Sequence, residues 1–289
     1  MQFQIFQESR IGARPTNQDR VGYVATSGSL LMTVCDGMGG HARGEIASQI
    51  CLDSISNSFK NAANPKLKDP VSFLIGAIQR AHDEILSYAR LLNLAEAPRT
   101  TCVAAVLQDG KASWAHVGDS RLYFLGSGKV HARTIDHSHV QSLIDRGFIT
   151  LEQSLKHPER NKIFNCLGQS VNPRIDFSDP ITLLDNDKLL LCSDGFWGPL
   201  SPELLAKSVE FGSIGVNIPM LMDLAEVMSG RECDNLSVIA MTWMKEETHS
   251  QKTSVFYESN DVEDNALKLS SNIIQMTLRA RPSFQVEKF

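Results

Sequence analysis

The chain has 289 residues, 42% hydrophobic and 21% charged, and 28 Lys and Arg against 33 Asp and Glu give a formal net charge of −5. At roughly 100–200 residues per domain this is one large domain or two small ones, and the composition excludes disorder, collagen-like repeats and a disulfide-stapled miniprotein. Scattered positive charges argue against nucleic acid as a partner, and the longest apolar run, Cys102 to Leu107, is far short of the ~20 residues of a membrane helix, so no membrane span is expected.

In chain order, the opening stretch Met1 to Phe6 lacks a positive leader and a long apolar run, so no export signal is expected. Short or alternating apolar runs predict strands over 2–8, 20–26, 30–35, 101–108, 111–117, 121–126, 175–183, 187–193 and 236–243. Helical spacing predicts helices over 43–59, 70–92, 138–146, 201–210 and 216–229. The helix near 201 has the clearest start: Ser201 can cap it, Pro202 suits its first position and Glu203 favours the positive end of its dipole. Strands come in consecutive runs, which predicts an α+β layered sandwich of antiparallel sheets with helices packed outside. Residues 1–244 read as one domain. The polar stretch 245–265 reads as a linker or exposed arm, and Leu267, Ile274 and Leu278 suggest a short terminal helix before Pro282. The six cysteines form no CxxC pair and mostly sit in apolar runs, which fits a reducing, cytoplasmic compartment.

The acidic residues fall in a pattern. The run Leu30 to Cys35 leads into Asp36-Gly37, and Lys188 to Ser193 leads into Asp194-Gly195. A third predicted strand ends in Gly118-Asp119-Ser120, while Asp19 and Asp234 each precede one. Any single Asp-Gly reads well as a turn, in which glycine lets the backbone bend sharply. Five carboxylates gathered at one end of a sandwich would instead repel strongly without a cation. Oxygen ligands with no His/Cys cluster select hard ions such as Mg²⁺ or Mn²⁺.

Six segments carry a resemblance. They are Arg14-Pro15-Thr16-Asn17-Gln18-Asp19, Val34-Cys35-Asp36-Gly37-Met38-Gly39-Gly40-His41, Gly118-Asp119-Ser120-Arg121, Asp136-His137-Ser138, Ser193-Asp194-Gly195 and Asp234-Asn235. In order and interval they closely resemble the motifs of the metal-dependent Ser/Thr protein phosphatases, the PPM or type 2C family, in their bacterial form. The match spans about residues 8–243.

The resemblance implies a central antiparallel β-sandwich flanked by helices on both outer faces, in α-β-β-α layers, with a binuclear Mn²⁺/Mg²⁺ centre at one end. By motif position Asp36 would bridge both metals, Asp194 and Asp234 would hold the first, and the carbonyl of Gly37 would help hold the second. Asp19 matches an acid near the metals that often acts through water. Asp119, with Asp194, matches a weaker third metal site. Arg14 matches the residue that grips the substrate phosphate. The implied reaction is hydrolysis of phosphoserine or phosphothreonine by a metal-bridging hydroxide attacking phosphorus in line, with charge on the phosphoryl oxygens spread by the metals and Arg14. The implied partners are phosphorylated proteins opposing a Ser/Thr kinase, and the chain is expected to be a monomer acting in signal transduction. His41 is a candidate acid for the leaving alkoxide, or alternatively a cap for the helix that follows.

Other mechanisms are testable in the sequence. No cysteine has an Arg six residues on, which excludes cysteine-dependent phosphatases. Gly39 and Gly44 have P-loop spacing but are followed by Glu45-Ile46, and no Gly-x-Ser-x-Gly is present. Departures from the family pattern at Arg99, at Asn165-Cys166 and at Gly198 bear on substrate contacts and on a flap near 139–169, and none is a candidate ligand.

Overall fold

The computed structural model describes residues 1–38, 43–154 and 157–244, apart from the side chain of Glu152. Candidate acid His41 and the expected terminal helix lie outside the described residues.

The chain opens with β1 (Gln2–Arg10), β2 (Asp19–Ala25) and β3 (Ser29–Met38), then turns into α1 (Gly44–Ala62) and α2 (Pro70–Leu91). Asp69 caps α2 by accepting from the N–H groups of Val71 and Ser72, both at 3.1 Å, and Pro70 occupies the first position, where its missing N–H costs nothing. A strand run follows: β4 (Arg99–Thr100), β5 (Cys102–Gln108), β6 (Lys111–Val117), β7 (Arg121–Gly126) and β8 (Lys129–Arg133). Then come α3 (His139–Asp145), α4 (Leu151–Ser154), β9 (Asp176–Phe177), β10 (Ile181–Thr182) and β11 (Lys188–Cys192). The last elements are α5 (Asp194–Trp197), α6 (Pro202–Ser208), α7 (Ile214–Ser229) and β12 (Leu236–Met244).

The strands form two antiparallel sheets, ordered β1-β12-β11-β7-β8 and β10-β6-β5-β3-β2. Period-2 alternation sends successive side chains to opposite faces, and in β3 both faces are apolar. Leu30, Met32 and Val34 meet Val103, Leu122, Leu189, Leu191 and Ile239 between the sheets. Leu31 and Cys35 face Ile55 and Phe59 of α1 and Ile78 and Ile85 of α2. On the other outer face, Leu190, Cys192 and Val238 pack against Phe196, Leu205, Ile218 and Met222. Three apolar layers thus separate four structural ones, which is the α-β-β-α order expected.

Several boundaries differ from expectation. Residues 175–183 do not form one strand: β9 and β10 are separate two-residue pieces on β6, with Pro180, which has no N–H to donate, between them. The edge strand β8 escaped detection because Lys129, His131 and Arg133 make it polar. The strand predicted over 30–35 runs on through Met38, so Asp36-Gly37 is ladder, not turn, and Asp36 pairs with Asp19 across β2. Asp194-Gly195 opens the short helix α5.

Candidate active site

β2, β3, β6, β11 and β12 bring an acid each to one end of the sandwich. Asp19 and Asp36 are register partners on adjacent strands. Asp119 follows Gly118, whose φ of +103° is a left-handed turn an L side chain would strain. Asp194 follows β11, and Asp234 precedes β12.

Polar neighbours fix these acids. Ser193 Oγ donates to Asp19 Oδ2 at 2.7 Å and accepts from Ser237 N–H at 2.9 Å, tying β2 to β11 and β12. Thr101 Oγ1 accepts from Asp36 N–H at 3.0 Å and lies 2.7 Å from Ser120 Oγ. The Trp197 indole donates to the Asp119 carbonyl at 3.0 Å, and the Arg121 guanidinium stacks 3.3 Å from the Trp197 ring centroid. Arg121 in turn grips Asp136 through two hydrogen bonds of 2.8 and 2.6 Å. Asn235 clamps the loop carrying Arg14: its Oδ1 accepts from Gln18 N–H at 2.9 Å, and its Nδ2 donates to the carbonyls of Ile11 and Thr16 at 2.8 and 3.1 Å. Thr101, Ser193, Trp197 and Asn235 went unremarked as site residues. Ser193 and Asn235 each flank an acid and Thr101 lies one strand across from one, while Trp197 ends the short helix that Asp194 opens.

Two glycines serve by what they lack. A Cβ on Gly37 would run into the backbone of Gly44 and lie 2.6 Å from the Gln18 carbonyl oxygen, so β3, α1 and the loop before β2 meet only because both residues are glycine. A Cβ on Gly195 would strike the Asn235 carbonyl and sit 3.2 Å from Asp234 Cβ, so the same reasoning joins the acids after β11 and before β12.

The electrostatics follow from crowding. Burial, then the charges of Asp19, Asp194, Asp119 and Asp234, hold Asp36 well above the usual carboxylate range. Burial outweighs the Ser193 hydrogen bond and, with the charges of Asp194 and Asp234, pushes Asp19 up to about 7. Burial and the charge of Asp234 raise Asp194 to about 6, against the opposing hydrogen bond with Asp36. Asp119 is held well above its ordinary value by burial and by the charges of Asp194 and Asp136. Oδ1 of Asp19 and Oδ1 of Asp119 are buried without a hydrogen-bond partner. Orphaned carboxylate oxygens in a mutually repelling, oxygen-only set are the donor chemistry that hard divalent cations fit. Arg14 reaches Asp234, Nη2 to Oδ2 at 2.7 Å, while the guanidinium remains half exposed at the mouth of the cluster.

A second cluster, His116, His137 and Asp176, superficially resembles a metal site, but its hydrogen bonds have the wrong polarity. His137 Nδ1 accepts from Gly118 N–H at 3.1 Å and from Asn165 Nδ2 at 2.6 Å. The proton of the neutral ring therefore sits on Nε2, the nitrogen that faces Asp176 Oδ2 at 3.3 Å, and offers no lone pair there. Burial, and then the stacked His116, push His137 down to about 4, which keeps it neutral. Its backbone N–H also donates to the Gly118 carbonyl at 3.0 Å, so His137 grips the turn before Asp119 from both sides.

The chain is similar to known proteins. The chain is 30% identical over 227 residues to the serine/threonine protein phosphatase PstP of Mycobacterium tuberculosis, covering 78% of this chain and 42% of that one. It therefore spans less than half the length of that relative. The structure of the serine/threonine phosphatase Stp1 from Staphylococcus aureus superposes with a TM-score of 0.77 at 29% identity, covering 85% of this chain and 96% of that one. The catalytic domain of PstP in complex with 2 manganese ions superposes with a TM-score of 0.72 at 27% identity, covering 84% and 99%. The family profile of protein phosphatase 2C matches residues 7–217, a span that carries four of the five acids, and on this ground the chain belongs to the protein phosphatase 2C family.

Proposed function

We propose that the protein is a protein serine/threonine phosphatase that hydrolyses phosphoserine and phosphothreonine with two divalent cations, Mn²⁺ or Mg²⁺, and a third held more weakly. The observation that carries this reading is the meeting of five carboxylates from five strand ends, two with orphaned oxygens, beside one half-exposed arginine. Asp36, Asp194 and Asp234, with the Gly37 carbonyl, would hold the tight pair, Asp19 acts beside it, and Asp119 with Asp194 would hold the third. Bound there, the cations neutralise the acids and supply an acidified water near neutral pH.

The remaining work falls to the chain itself. Ser193 keeps Asp19 oriented, and Thr101 holds the backbone of Asp36 at the sheet end. Arg14, held within reach of Asp234 by the Asn235 clamp, presents a planar donor fork to a phosphate at the cleft mouth. His41 remains the proposed proton donor to the leaving alkoxide. Phosphoproteins made by a Ser/Thr kinase are the proposed substrates. No helix among the described residues is long and apolar enough to cross a membrane, and a cytoplasmic, monomeric enzyme is the reading we adopt.

The decisive experiment measures phosphothreonine-peptide hydrolysis with added Mn²⁺, with chelator, and in Asp194→Asn. Turnover that needs the metal and is lost in the variant supports the proposal. Full turnover in chelator overturns it.

A further inference from the structure

Three of the six cysteines gather in one place. Cys35 of β3, Cys51 of α1 and Cys102 of β5 are fully buried, and their Sγ atoms all lie within 4.8 Å of one another. The β3–β5 register runs through Val34 opposite Val103, and Thr101 N–H donates to the Asp36 carbonyl at 2.8 Å, so one further step sets Cys35 opposite Cys102. Both thiols point to the helix side of the sheet, where α1 lowers Cys51 onto them. Three sulfurs at about 2.3 Å from a common centre stand about 4 Å apart, inside the 4.8 Å that bounds the three Sγ atoms here.

Charge decides what such a centre is. The trio is surrounded by Leu31, Ala47, Ile55, Ala104 and Val117. The titratable groups that bear on it are Glu84, an acid, and His116, a buried neutral ring whose Nε2 is 2.9 Å from the Ile135 carbonyl oxygen. Three thiolates around Zn²⁺ would leave one uncompensated negative charge in this core, and around Cu⁺ two, each costing several kcal/mol. A trivalent centre leaves none.

We propose that Cys35, Cys51 and Cys102 form a closed three-thiol site for trivalent arsenic or a chemically equivalent trivalent thiophile. Capture condenses As(OH)₃ with three thiols. Three As–O bonds break and three As–S bonds form, each thiol proton leaves with a hydroxide as water, and no electron changes hands. Burial closes the site, so entry requires local separation of α1 from the sheet, and capture accelerates in dilute urea.

The test treats the reduced full-length chain, kept free of dithiol reductants, with sodium arsenite. The expected product has one arsenic atom in place of three hydrogens by intact mass and three sulfur and no oxygen neighbours by arsenic-edge absorption. Its melting temperature is raised, because β3, α1 and β5 become tied together. Cys51→Ala and Cys102→Ala each abolish the three-sulfur centre, while Cys166→Ala leaves it intact. Folding of each variant is checked by melting without arsenic, and Cys51→Ser, nearly isosteric, replaces any alanine variant that fails this check. Retained oxygen neighbours, an adduct indifferent to loss of Cys51, or zinc held by the three sulfurs in preference to arsenite would overturn the proposal.

Discussion

Asp19 is 2% exposed, yet its Oδ1 has no partner, while Oδ2 accepts from the hydroxyl of Ser193. Ser193→Ala therefore removes one of the hydroxyls that hold Asp19, leaving that of Ser237, and removes the acceptor for Ser237 N–H. A cost of about 1–3 kcal/mol is expected, read by urea unfolding in chelator. Asp36→Asn acts in the opposite sense on the fold. Removing one charge from a repelling cluster should leave the metal-free melting temperature equal or higher, while metal-dependent hydrolysis falls on the order of a thousandfold. A variant that unfolds before it loses activity would contradict that assignment. The carboxylates were legible from sequence because Asp-Gly and Asp-Asn punctuate apolar runs, a pattern with few other causes once it recurs. Their supports were not. Ser193 and Thr101 look like ordinary strand-end hydroxyls, and only the cross-strand register reveals which acid each one holds.

At the scale of elements, the approach of β3 to α1 is set by Gly37 and Gly44. Gly37→Ala puts a methyl group against backbone that has no flexible end to yield, so α1 must lift or β3 must bend. The expectation is a lower melting temperature together with weaker Mn²⁺ binding by calorimetry, because the same movement displaces Asp36. Normal binding in a folded Gly37→Ala protein would mean that the contact is slack. The sequence reading saw Asp36-Gly37 as the end of a strand and gave the glycine a bending role. The strand instead continues through Met38, and the glycine is needed for clearance. Periodicity could not separate these, because a glycine in an extended ladder and a glycine in a turn look alike until the neighbouring backbone is known. The long elements were predictable because β3, β5, β11 and α2 bury apolar side chains on whole faces. Elements of one turn or two residues, such as α5, β9 and β10, are held by neighbours far along the chain and leave no local period.

For the whole molecule, crowding of acids makes stability depend on pH in a stated direction. Asp19 titrates near 7 and Asp194 near 6 in the folded state, each raised by burial and neighbouring charge, against about 3.9 in the unfolded chain. The folded protein thus binds more protons than the unfolded one between these values, and its metal-free stability falls as pH rises through that window. In chelator the melting temperature should be higher near pH ~5.5 than near ~7.5, and added Mn²⁺ should raise it more at the higher pH, where the ligands are already deprotonated. An apo melting temperature that climbs with pH would show that the carboxylates do not repel as described. Layer order and antiparallel pairing were readable from consecutive apolar runs at this scale.

The ion pair between Arg14 and Asp234 has a consequence for the order in which the proposed site assembles. Both oxygens of Asp234 are engaged, Oδ2 by Arg14 and Oδ1 by the N–H of Asn235. A cation arriving at Asp234 must share its charge with the guanidinium already there, which loosens the arginine and returns its donors to the cleft. Under the proposed function, phosphate binding at Arg14 and cation binding at Asp234 would be thermodynamically linked with positive sign, each tightening the other by the same factor. Inorganic phosphate, the product, should consequently inhibit the metal-loaded enzyme far better than it binds the metal-free protein, and that difference should shrink in Arg14→Ala. Under that proposal the arginine acts as a latch, which a cation at Asp234 would release to meet the phosphate.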